Sequence, residues 1–299
     1  MAQLSAQWRA RLRAVPPLKI FVFVVLLMPA LLQAGMLAFG PPQAEPIKDT
    51  IHMLGDWAVY CLVASLAITP LRQILAWPRL IAVRRMIGVA AFFYALAHVI
   101  GFAADKSFDL SVVLSEIALR TYLTIGAAGL ILLAILAATS TNAMVRRLGG
   151  KRWQSLHRIV YLAAAIAAVH YFLQAKGDLW APTLVAGVAG WLLLYRLILW
   201  SKGSAVASRP LSVLVISAIA ALGTAIGESL YLAHKFGAPF DAMIAMQLAI
   251  APPGPRPALI IAAMGLALVA LAIWRQGFFR PAARDRSDSG WHVVRRSEA

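Results

Sequence analysis

Long apolar runs, separated by short polar segments that hold most of the arginines and lysines, set the pattern of this chain. The runs fall at about 20–40, 52–70, 86–104, 122–138, 156–173, 181–200, 211–233 and 257–274. Each comes near the roughly 20 residues that a helix needs to cross a hydrocarbon core. The pattern predicts an all-α polytopic membrane bundle of about eight transmembrane helices. The first run exceeds the roughly 7–15 residue apolar core of a cleaved leader, so it is expected to stay as a span. The expected organisation is an N-terminal arm with the first helix over 1–50, a six-helix core completed over 51–203, a two-helix extension over 204–280, and a polar tail over 281–299.

Charge fixes the expected sidedness, because short cytoplasmic loops carry the excess of Lys and Arg. With the N-terminus inside, 22 basic residues fall on inner segments, among them Arg9, Arg11, Arg13, Arg84, Arg85, Arg146, Arg147 and Arg275. Only Lys48, Lys106, Arg120, Lys176, Lys235 and Arg256 fall outside. Eight spans with both ends in the cytoplasm satisfy that split. The net charge of +16 therefore reads as topology and not as a nucleic-acid surface, since 61% of the chain is hydrophobic and the charges lie between apolar runs. The single cysteine, Cys61, excludes an intrachain disulfide and a cysteine-ligated metal cluster.

Topology then assigns depths to the histidines. Spans three and five climb in the same direction; His98 stands shortly before Asp105, and His170 shortly before Asp178. The two are expected at one level in the outer half of the membrane. Imidazoles in hydrocarbon usually face a bundle interior, where they pack, relay protons or ligate a metal. Matched depth on two spans favours axial ligation of a haem over two packing histidines. His157 falls near the inner surface beside Trp153 and Arg158, either as an interfacial residue or as a ligand to a second haem or other cofactor. On an ideal helix it lies some 140° from His170, so the two are not expected to share a face.

The remaining polar positions have plainer readings. His52, His234 and His292 read as interfacial or tail residues, Glu228 as an acid solvated near the outer end of span seven, and Tyr94 as a packing residue near His98. Arg84 with Arg85, and Arg146 with Arg147, read as topology determinants that could also receive lipid or cofactor phosphates.

Three stretches carry a family resemblance: LGDWAVYCLVASLAITPLR from Leu54, RRMIGVAAFFYALAHVIGF from Arg84, and TSTNAMVRRLGGKRWQSLHRIVYLAAAIAAVHYF from Thr139, followed by Lys176 to Asp178. Together they resemble the family of haem-binding membrane subunits called MsrQ (formerly YedZ), within the ferric reductase-like transmembrane group. The resemblance implies haem b held by His98, His157 and His170, with His98 and His170 as the axial pair, and an FMN site. It also implies a membrane electron-transfer subunit, not itself the enzyme, of the bacterial inner membrane. Electrons would come from quinol or a flavin reductase and pass to a periplasmic molybdopterin-containing methionine sulfoxide reductase of the MsrP kind, for repair of oxidised proteins. Apart from these and membrane lipid, no nucleic-acid partner is expected.

Two features depart from the family pattern. Arg120, Thr121 and Tyr122 replace an Arg-Pro-Tyr run, and spans seven and eight extend beyond the usual six. Two rivals are a proton-coupled transporter using His98, His170 and Glu228, and a stand-alone ferric or quinone reductase. No flavin-binding Rossmann fingerprint or soluble NAD domain is present, so the reductant must come from elsewhere.

Overall fold

The computed structural model of the chain describes residues 16–42, 44–175, 177–248, 250–251 and 254–278. The basic arm with Arg9, Arg11 and Arg13, together with Lys176 and the tail that holds His292, lies outside them. Among the described residues eight helices are long and apolar enough to cross a membrane: α1 (Pro17–Phe39), α2 (Pro46–Ile74), α3 (Pro78–Asp105), α4 (Thr121–Ala138), α5 (Gly150–Gln174), α6 (Trp180–Lys202), α7 (Pro210–Phe236) and α8 (Pro257–Arg275). In hydrocarbon every backbone N–H and C=O must find its partner within the protein, and helices do so residue by residue.

The helices pack around two centres. One gathers Cys61 and Leu62 of α2, Val83, Ile87 and Ala91 of α3, Leu133 and Leu136 of α4, and Ala163 of α5. The other gathers Leu66 and Ile74 of α2, Trp191 and Tyr195 of α6, Val213 and Ile216 of α7, and Ile261 and Leu268 of α8. Helix α2 contributes to both, and together with α5, whose Tyr161 bonds Arg196 of α6, it joins the last three helices to the first five. Lipid tails are as apolar as the side chains, and association within the bilayer therefore rests on close packing and interhelical hydrogen bonds. Both are present in the second centre. Gly187 of α6 presses against Ile261 and Thr224, and Gly265 of α8 against Ser217. Trp191 donates its indole N–H to Ser217 Oγ at 2.9 Å, and the Tyr195 hydroxyl meets Gln73 at 2.9 Å and Ser208 at 3.0 Å.

Two local features bear on the site. Between α3 and α4 the chain does not simply loop: Ser107 and Phe108 adopt positive φ, and Asp109 caps a short helix, Leu110–Leu119, by accepting from the backbone N–H groups of Ser111 and Val112. The Ser111 hydroxyl, which donates to the same carboxylate at 2.6 Å, and those backbone bonds hold the Asp109 carboxyl below its usual range. The exposed Leu110 and Leu114, one turn apart, give that helix an apolar side. Arg120 then takes an extended backbone and starts α4 at Thr121, where the family pattern has proline.

Helix α5 is interrupted by a 3-10 turn, His157–Ile159. Three residues at about 120° instead of 100° reduce the angle between His157 and His170 from about 140° to about 80°. The two side chains still serve different places, at the two ends of α4, where His170 meets Tyr122 and His157 meets Thr139.

Candidate functional site

His98 of α3 and His170 of α5 line one apolar cavity of about 320 Å³, bounded by α2, α3, α4 and α5. Their ring centroids are 6.4 Å apart and the rings stand at 83° to each other. Each ring is tied by the same device on a different helix. His98 Nδ1 lies 2.7 Å from the Ile51 carbonyl, and His170 Nδ1 lies 2.7 Å from the Tyr122 carbonyl. A carbonyl oxygen can only accept, so in each ring Nδ1 carries the proton and Nε2 keeps its lone pair. Among the described residues neither Nε2 has a hydrogen-bond partner.

A glycine stands four residues after each of those carbonyls. A Cβ added at Gly55 would lie 3.0 Å from His98 Nδ1, and one at Gly126 would lie 2.8 Å from His170 Cε1. On a helix, residue i+4 sits directly above the carbonyl of residue i. Any larger residue there would obstruct the imidazole's path to the carbonyl. Gly55 and Gly126 are therefore what allow both rings to reach their anchors.

This arrangement suits metal ligation. A ligating histidine almost always donates its other N–H to a carbonyl or carboxylate, which sets tautomer and ring direction. Two nitrogens each about 2 Å from one metal, with ring centroids about 1.1 Å behind them, would put the centroids about 6.3 Å apart. The observed separation meets that value. The cavity walls are mostly apolar, among them Leu62, Leu133, Ala163 and Ile166, with Gln174 also on the lining.

His157 does not enter this cavity. Its ring stacks on Trp153 at 3.9 Å, and its Nε2 lies 3.2 Å from Thr139 Oγ1. Thr139 already donates to the Ile135 carbonyl at 2.7 Å, so it accepts from His157 Nε2–H, and Nδ1 is left with the lone pair. Arg85 lies over the same Trp153 ring at 5.8 Å and donates to Asn142 Oδ1 at 2.6 Å. Nearby, the buried Arg196 bonds the Tyr161 hydroxyl at 2.7 Å and approaches the Leu66 carbonyl at 3.4 Å. Arg84 faces Arg196 and Arg72 electrostatically. None of these arginines forms an ion pair among the described residues.

Glu228 is also absent from the histidine cavity. It is 4% exposed, ion-paired with Arg256 before α8, and lines a different cavity. The expectation of a solvated acid is corrected, because the segment between α7 and α8 folds back and brings Arg256 onto it. Tyr94 donates to the Leu26 carbonyl of α1 at 2.6 Å and so fastens α1 to α3, while His52 and His234 are exposed. One intramembrane acid escaped the sequence reading. Asp56 of α2 interacts with the hydroxyl of Tyr171, next to His170, and Tyr60 joins the same group. Its signal was available, since a carboxylate within an apolar span is costly unless partnered.

With the geometry described, known proteins can be set beside it. The profile of the family described as "Ferric reductase like transmembrane component" matches residues 54–168, which include His98 and His157 and end two residues before His170. Three relatives, each named protein-methionine-sulfoxide reductase heme-binding subunit MsrQ, are similar over most of their own length. The protein from Rhodospirillum rubrum is 44% identical over 60% of this chain and 87% of its own. That from Herminiimonas arsenicoxydans is 42% identical over 63% and 90%, and that from Azospira oryzae 35% over 71% and 95%. No solved structure matches. Eight apolar helices together with these relatives make this a multi-pass protein of the bacterial inner membrane. Identity at this level over nearly the whole of the relatives' length, with the ferric reductase-like profile over residues 54–168, means that the chain belongs to the MsrQ family of ferric reductase-like membrane subunits.

Proposed function

We propose that this protein is a membrane electron-transfer subunit that holds haem b between His98 and His170 and passes electrons to a periplasmic methionine sulfoxide reductase. The observation that carries the reading is the pair of imidazoles 6.4 Å apart, each with Nδ1–H spent on a carbonyl and Nε2 open. The haem would supply one-electron chemistry at iron. Two histidines on one iron leave no open position for oxygen or substrate, which suits electron transfer with the catalytic site on a partner. The chain's own contribution is to fix both rings, exclude water from the cavity and shape its walls.

The basic excess on one set of loops supports a cytoplasmic N-terminus and C-terminus. In that orientation the His98 and His170 level lies in the periplasmic half, close to where a periplasmic molybdopterin enzyme of the MsrP kind would dock. The relatives' printed names, as subunits of a protein-methionine-sulfoxide reductase, support that partner. Residues 51–203 would form the haem-binding core, and 204–280 an extension to it. Arg72, Arg84 and Arg196, basic and without a carboxylate partner among the described residues, support a phosphate-bearing ligand at the opposite end, either FMN or an anionic lipid. His157 would contact such a ligand, or a second haem, through Nδ1. The donor would be quinol or a flavin reductase.

The visible spectrum of the purified protein tests the reading. Dithionite should give the sharp bands of six-coordinate haem b, and His98→Ala or His170→Ala should abolish haem retention. A colourless wild-type preparation, reconstituted with hemin and still colourless, would overturn it.

A further inference from the structure

The histidine cavity has two unlike ends. Along α5 its lining runs from Ala163 through His170 to Gln174, about 16 Å at the helical rise. At the Ala163 end the facing helices contribute Val59 and Leu62 of α2 and Leu130 and Leu133 of α4, so that end offers no polar side chain. At the other end stand Phe102 of α3, Tyr122 of α4 and Gln174. Gln174 lies one turn beyond His170 on the same side of α5, whereas Ala163 lies two turns before it. The imidazole pair is therefore set nearer the polar end.

Apart from the two imidazoles and Tyr122, Gln174 is the lining's only residue with a polar side chain among the described residues. Its amide makes no hydrogen bond to them, so both N–H groups are available as donors. The rim around it meets polar surroundings. Lys106 lies over the Phe102 ring at 5.7 Å and pairs with Asp105 at 3.0 Å, both side chains partly exposed, and Arg120 reaches the Tyr122 hydroxyl at 3.4 Å. A carboxylate is costly in hydrocarbon unless it meets donors or water. A porphyrin of the haem b kind has an apolar ring and two carboxylates on one edge. Seated between His98 and His170, such a ring finds no donor for that edge at the Ala163 end and finds one at the Gln174 end.

We infer that Gln174 is the carboxylate-binding residue of this cavity, its amide N–H donating to a carboxylate of the porphyrin held by His98 and His170, so that the charged edge of the ring faces the Gln174 end. The inference rests on the haem reading above and adds to it the direction in which the ring lies. In the orientation proposed there, the charged edge faces the periplasm beneath the short helix Leu110–Leu119, whose Ile117 lines the same end. That edge is then the part of the porphyrin nearest a periplasmic electron acceptor.

The test uses the full-length protein in lipid nanodiscs, prepared without haem and titrated with hemin or with hemin dimethyl ester, which has the same ring and no anionic edge. The readout is the ratio of the two affinities, taken from the Soret band, with circular dichroism confirming that each variant is folded. Gln174→Leu should weaken hemin binding by about tenfold, as a hydrogen bond to a charged group is lost. Gln174→Glu should weaken it further, because like charges repel strongly where water is scarce, and should change diester binding far less. Gln174→Lys should shift the ratio the other way, toward hemin. A wild-type ratio in both the Glu and the Lys variants would overturn the inference. Should the wild-type protein bind neither porphyrin, or bind both as well after His98→Ala and His170→Ala, the haem reading falls and this inference with it. Binding that needs both histidines but ignores the side chain at 174 sinks the inference alone.

Discussion

The two cavities of this protein solve the problem of polar groups in hydrocarbon in opposite ways. Around His98 and His170 the polar groups are neutral rings, and each donates its one N–H to a backbone carbonyl over a glycine. In the groove beside α7 the polar group is a carboxylate matched by Arg256, with one oxygen left over. The rings of the first cavity are complete in their hydrogen bonds and open only at two lone pairs, which suits a resident metal group. The second is a buried charged cluster in which Glu228 Oε2, the neighbouring Gln247 amide and Arg256 Nε all lack hydrogen bonds, so it is held by charge more than by geometry. The comparison teaches that an unsatisfied atom and an available lone pair are different signals: one raises the free energy of the empty site, and the other costs little until a metal arrives.

The largest effect that would sharpen this contrast is loss of either cavity histidine. His170→Ala should eliminate stoichiometric haem by pyridine haemochrome assay while leaving the thermal unfolding of the α6–α8 centre in place, because the two cavities have separate linings. Next comes Arg256→Ala, which strands the buried Glu228 charge. It should destabilise the folded protein by about 3 kcal/mol in thermal unfolding followed by circular dichroism, and Arg256→Ala with Glu228→Ala should recover most of that loss. Haem content should hold in both.

A smaller effect is expected at the glycines. Gly126→Ala forces a Cβ against the His170 ring and should cost about 1–3 kcal/mol, with a shifted or heterogeneous haem spectrum. Gly55→Ala, slightly less crowded, should do the same more weakly. Gly227→Ala, which meets open space, should leave the spectrum alone; equal effects at all three positions would dissolve the contrast between the cavities. The smallest effect belongs to Thr139→Val, which removes the partner of His157 Nε2 at a cost of about 1 kcal/mol and should leave the His98 and His170 site intact. His157→Phe tests the residue itself. If haem content falls by half, His157 ligates a second haem; if it is unchanged, the residue packs at the end of α5 or contacts a flavin.

Much of the architecture was legible in the chain because a bilayer is a one-dimensional constraint. Apolar length predicts a crossing helix, and the number of residues to the next polar segment gives depth, which is how His98 and His170 could be matched before any contact was known. Helix phase was less secure. The angle between His157 and His170 assumed an unbroken α-helix, and the 3-10 turn at His157–Ile159 changed it. Glu228 was misjudged because depth alone does not reveal a neighbour that folds back over it, as Arg256 does.

The sequence by itself determined the number of crossing segments, their apolar character and the shared level of the two cavity histidines. All three follow from composition along one axis. Only the tertiary structure decided that Ile51 and Tyr122 present the anchoring carbonyls, that Gly55 and Gly126 among 20 glycines are the two that make room, and that Glu228 is buried with an oxygen to spare. Those facts are relations between helices. A hydropathy pattern carries depth but no azimuth, so side-chain partners across a helix pair become definite only when the packing is known.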